Sequence, residues 1–101
     1  MVPDPPPVDG HGIPATNAPR NRPYDWVLAG PTLDKLAVPV KLAGQEFPHG
    51  LVFDSRVFEP LAKLPPVQPG DSALPMMQHM AVVRDFLVPG VAKRDFGAAK
   101  E

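Results

Sequence analysis

The sequence predicts an α/β (α+β) fold, built mostly of strands with one or two short helices, behind a proline-rich N-terminus without regular structure. Three observations carry this. Residues 76–88 form the longest stretch free of proline, and from Met80 onward Val82, Val83, Phe86 and Val88 supply the β-branched and aromatic side chains that suit a pleated, packed surface. Residues 24–29 lie between Pro23 and the Gly30-Pro31 pair, stops that bracket a strand. Seven of the sixteen prolines fall within the first 23 residues, whereas the large aliphatic and Phe residues come mostly later.

A chain of 101 residues supports one modest core and no second domain. Ten basic against eleven acidic residues give a net charge of -1, which leaves no electrostatic footprint for non-specific nucleic-acid binding but does not exclude a nucleic-acid substrate. The absence of cysteine excludes disulfide scaffolds and thiolate metal sites and says nothing about compartment. No apolar run approaches the roughly 20 residues that span a bilayer, and residues 1–10 lack the positive start and apolar centre of a signal peptide. A soluble chain without membrane contact, of open localisation, is expected.

In chain order, residues 1–22 read as an extended arm: Pro5-Pro6-Pro7 favours polyproline II, as a leader or as a ligand for an aromatic groove. Arg20 and Arg22 flank Asn21 and either touch a phosphate or stand solvated. Over residues 24–29, alternation puts Asp25, Val27 and Ala29 on one face and Tyr24, Trp26 and Leu28 on the other. Asp25 is the odd member of its face, either capping the strand start or acting as a functional carboxylate. A helical turn is expected over 32–36, then an edge strand over 38–42 containing Pro39 and ended by Gly44. Between Leu51 and Leu64, Phe53, Val57 and Leu61 recur at four-residue spacing behind Asp54, which predicts a short capped helix limited by Pro60. Residues 64–75 are proline-punctuated loop, residues 76–88 are the main strand with apolar residues on both faces, and residues 91–101 are a fraying charged tail.

Chemistry narrows to two residues. The three histidines, His11, His49 and His79, have no close spacing for a local metal site, and there is no Gly-rich phosphate loop or nucleophile elbow. His79 opens the main strand and Asp25 opens the earlier one; if those strands run side by side in the same direction, the two side chains meet at one rim. An aspartate bonded to an imidazole fixes its tautomer and frees the other nitrogen to take a proton from water. The alternative is a structural histidine whose polar ring is simply satisfied.

Pro23-Tyr24-Asp25-Trp26-Val27-Leu28-Ala29, followed about 50 residues later by a histidine opening a Val-rich strand, resembles the C-terminal part of the endonuclease/exonuclease/phosphatase superfamily, the DNase-I-like fold. Gly50-Leu51-Val52-Phe53-Asp54-Ser55-Arg56-Val57-Phe58 and Met77-Gln78-His79-Met80-Ala81-Val82-Val83 are similar to phrases of a bacterial branch. The likeness covers about residues 20–90. It implies a four-layer α/β sandwich, hydrolysis of phosphodiester or phosphomonoester bonds with a phosphate-ester or nucleic-acid substrate, and a metal cofactor, usually Mg2+. By resemblance, His79 is the catalytic histidine, Asp25 the acid paired with it, and Tyr24 and Trp26 are core residues.

The departures are specific. Many relatives carry Ser-Asp-His where this chain has Gln78 before His79, and Gln78 lacks the carboxylate that binds a metal. The early metal-binding glutamate and the Gly-Asp-x-Asn motif have no counterpart, and Asn17 and Asn21 lack that context, so the Mg2+ ligands are expected on sequence outside this chain. Residues 1–22 are then an arm, 23–90 the C-terminal part of such a domain, and 91–101 a tail. The whole family domain is more than twice as long, so a C-terminal fragment with negligible hydrolysis on its own is expected, with exposed strand edges open to association. A non-enzymatic interaction module and a decayed remnant are the alternatives.

Overall fold

Backbone pairing occurs where proline leaves room for it. The computed structural model of the chain describes residues 3–90; the tail expected at 91–101 lies outside them. Helix α1 (Pro31–Asp34) is followed by β1 (Ala37–Val38), β2 (Val40–Leu42), β3 (Gln45–Phe47) and β4 (Leu51–Phe53), then by single 3-10 turns at Leu61–Lys63 and Asp71–Ala73, and finally by β5 (Ala81–Val83) and β6 (Asp85–Phe86). The strands form three antiparallel pairs, β1 with β6, β2 with β3 and β4 with β5. This is a sheet-rich α+β architecture of short strands and few helices, as the composition predicts.

Pro31 occupies the first turn of α1, where its missing N–H would have had no partner. Pro39 has no N–H to give a ladder and divides the expected edge strand 38–42 in two: Val38 pairs with Asp85, whereas Val40 pairs with Phe47. Ala43 and Gly44, with φ of 50° and 84°, form the two-residue loop of the β2–β3 hairpin, the left-handed backbone that matches strand twist there. Val40, Phe47, Leu51 and Phe58 make the core, with Leu42, Phe53, Leu64 and Val83 packed against it. The Phe58 ring sits 6.1 Å from that of Phe47 and 5.5 Å from that of Phe53, the offset spacing aromatic pairs prefer.

Several expectations are corrected. No α-helix forms over 51–64, only the 3-10 turn at Leu61–Lys63: residues 51–53 pair with β5, and Asp54 caps a turn instead, its Oδ1 accepting the Arg56 N–H and its carbonyl those of Val57 and Phe58. Four-residue apolar spacing is equally served by a strand followed by turns: Phe53 ends β4, Val57 lies in the turn after Asp54, and Leu61 starts the 3-10 turn. Residues 76–88 are not one strand covered on both faces. Arg84 divides them, donating to the Val27 carbonyl and to Asp34 Oδ1, so that β5 and β6 pair with different partners; Ala81 is exposed and Val82 and Val83 are half-buried.

Residues 24–29 form no strand and pair with none among the described residues. Their alternation holds, with Asp25, Val27 and Ala29 turned inward; Tyr24 and Trp26 are not core residues, being 62% and 37% exposed. The arm is not free either. Val8 donates to the Gly50 carbonyl and accepts from the Val52 N–H, adding a partner to the edge of β4 opposite β5, and Asp9, Ala15 and Thr16 are buried. Proline composition predicts disorder only when nothing repays ordering the chain. Here Arg20 does: its guanidinium donates to Asp54 Oδ2 and to Asp9 Oδ2, each at 2.6 Å, and to the Ala15 carbonyl at 3.0 Å.

Candidate active site

Three backbone segments build the site, and Thr16 ties them. Its side-chain oxygen accepts the N–H groups of Tyr24 and Asp25 at 2.9 and 3.0 Å, which fixes the start of the extended segment. Its carbonyl accepts the Met80 N–H at 2.7 Å, and Asn17 bridges antiparallel to His79. Asn17 is itself pinned, because its Oδ1 accepts the N–H groups of Asn21 and Arg22 and closes the turn that carries Arg20. Asp25 and His79 therefore both hang from one strut, residues 15–17, rather than from two neighbouring strands.

Beside that strut the two side chains meet: His79 Nδ1 lies 2.6 Å from Asp25 Oδ2, between residues 54 apart in sequence. The hydrogen bond from His79 holds the Asp25 carboxyl below the ordinary aspartate range, against a smaller opposing push from burial and with help from the Thr16 hydroxyl. An ionised Asp25 makes Nδ1 the protonated nitrogen of the neutral ring and leaves the Nε2 lone pair unused. The His79 side chain is 55% exposed, so water reaches it. Chemically this is a base oriented by a carboxylate, open to solvent.

Nothing comparable gathers around the other candidates. Among the described residues no three His, Asp or Glu side chains come together to hold a metal ion. Gln78 is exposed and neutral beside the pair. The residues in hand therefore do not by themselves make a magnesium site. His11 and His49 lie on exposed turns away from His79. Arg20 is neither a phosphate ligand nor solvated; its side chain is 14% exposed between two buried carboxylates. Burial raises the Asp54 carboxyl, but the side-chain and backbone hydrogen bonds from Arg56, joined by Arg20, outweigh it and hold the group below its ordinary range; the same contact pushes Arg56 up.

The sequence reading missed Thr16 and Asn17, the residues that position the pair. Thr16-Asn17 four residues ahead of Arg20-Asn21 is a turn signal of the kind in which an Asn side chain bonds backbone further along, and it was available in the sequence. Comparison with protein-family models, with curated proteins and with solved structures gives no match.

Proposed function

We propose that Asp25 and His79 are the general-base pair of a metal-dependent phosphate-ester hydrolase of the endonuclease/exonuclease/phosphatase superfamily, and that this chain is part of a DNase-I-like sandwich whose Mg2+ ligands lie on other sequence. The observation that carries the reading is the 2.6 Å contact between two residues far apart in sequence that the resemblance independently pairs. His79 Nε2 takes a proton from water as the water oxygen adds to phosphorus and the ester oxygen leaves; the imidazolium later returns that proton to the leaving oxygen or to solvent. Asp25 stays ionised, holding the ring and stabilising its cationic form. The metal would supply a Lewis acid and an activated water, and its ligands are expected on other sequence; the 101-residue chain on its own is expected to hydrolyse such esters negligibly.

The pairing itself is tested by NMR on the isolated chain. Nitrogen shifts of neutral His79 should show the Nδ1–H tautomer, and Asp25→Asn should shift the population toward Nε2–H. In His79→Ala the Asp25 carboxyl should titrate higher, back toward its ordinary value of about 3.9. The sign follows from its depressed state: whatever Asp25 adds to stability is present above that ordinary value and is lost as pH falls below it. Unchanged titration of Asp25 in the His79 variant would mean the contact does not exist in solution.

A second reading, association through exposed apolar side chains, is favoured by one observation: Tyr24, Leu28, Leu87 and Met76 are all more than half exposed. Neither reading excludes the other, because a part of a larger sandwich would cover some of these side chains.

A further inference from the structure

We infer that the cleft beside His79 receives an aromatic ring carried by the phosphate ester, so that the substrate class is an aryl or nucleoside phosphate; this rests on the phosphate-ester reading of the Asp25–His79 pair. The cleft has a volume of about 380 Å³, and His79 lines it together with Phe53, Met77, Met80, Ala81 and Asp71. Benzene already fits an apolar space of about 150 Å³, so a two-ring system is accommodated.

The chemistry of the walls selects the occupant. Among the described residues no Lys or Arg lines the cleft, and Asp71 contributes a carboxylate, so a phosphate dianion placed inside it meets repulsion without a counter-charge from them. The phosphoryl group therefore belongs at the rim, by the His79 imidazole, and the organic group belongs inside. Two methionine thioethers and a phenyl ring are surfaces that favour an aromatic ring over a saturated chain. Met80 is buried and gives the floor, while Met77 is 42% exposed and can adjust over the ring. Asp71 Oδ2 accepts the Gln68 N–H at 2.8 Å, while Oδ1 takes no hydrogen bond among the described residues and can accept an N–H from a heteroaromatic ring.

The test is NMR on the 101-residue chain with labelled methionine methyl groups, titrated with phenyl phosphate, adenosine 5′-monophosphate and methyl phosphate. Phenyl phosphate should shift Met77 and Met80 saturably, with a Kd at least about tenfold below that of methyl phosphate, a difference of about 1.4 kcal/mol. Tighter binding of the nucleotide than of phenyl phosphate assigns the nucleoside source through Asp71; the reverse assigns the aryl source. Ala81→Trp, which fills the cleft from an exposed strand position, should abolish the aromatic preference, and Met77→Ala should weaken it several-fold. Equal affinity for methyl and phenyl phosphate, or shifts that bypass both methionines, overturns the proposal. The general-base reading fails separately, by the His79 tautomer, which does not depend on the cleft.

Discussion

Arg20→Met is expected to destabilise the chain by about 3 kcal/mol, measured by urea unfolding at pH 7, because it removes the cation shared by two buried carboxylates. Asp9 and Asp54 are 3% and 2% exposed in their side chains, and Arg20 is the only cation bonded to Asp9 among the described residues. Asp9 would keep the N–H groups of His11 and Ile13, and Asp54 would keep Arg56, so the loss is large without being total. The pH dependence has a definite sign. The Asp54 carboxyl titrates below its ordinary value, so its stabilisation is complete above about pH 4 and disappears as pH falls further. In the variant this acid-side loss should shrink, since part of it has already been removed at pH 7. The structural consequence points toward the site: the Arg20 side chain also bonds to the Ala15 carbonyl, next to the Thr16 that holds Asp25, so its loss should loosen that strut while the hydrogen bonds of Thr16 and Asn17 themselves remain. A change under about 1 kcal/mol would place the N-terminal segment outside the folded unit.

Gly50→Ala is expected to cost about 2–4 kcal/mol for two reasons that add. Gly50 has φ of 110°, a left-handed conformation that side chains resist, and a Cβ there would lie 2.7 Å from the Val83 carbonyl oxygen and 2.9 Å from Pro7 Cγ. Val83 is the β5 partner of Leu51, and Pro7 precedes the arm residue that bonds to Gly50, so neither neighbour yields without loosening the middle of the fold. Gly70→Ala is the control. Its φ is -83° and nothing approaches its Cβ position, which predicts a change within about 0.5 kcal/mol.

What the sequence revealed divides along the range of the forces involved. The alternation of residues 24–29 is local and was legible; that Pro39 splits the expected edge strand 38–42 between two partners was not. Which partner an extended segment takes is not local. Period two fixes the faces of residues 24–29 but cannot show that they bond to a threonine hydroxyl instead of a strand. The arm was misread for the same reason: seven prolines are visible, whereas an ion pair between Arg20 and Asp54, 34 residues apart, leaves no periodic trace. Asp25 and His79 stood out because each is a polar residue in an apolar stretch. Their meeting through the strut at 15–17, and the cleft beside His79, required the fold.

The account stands on His79 acting as a base toward a phosphate ester, and turnover tests that most directly. The product of the full open reading frame that carries this sequence should be assayed with magnesium on a generic phosphodiester, as wild type, His79→Ala and Asp25→Asn. Loss of about 10²–10⁴-fold in kcat for His79→Ala, with a smaller loss and an altered pH profile for Asp25→Asn, is the predicted result. Equal turnover in the His79 variant, or none in the wild type, would contradict it.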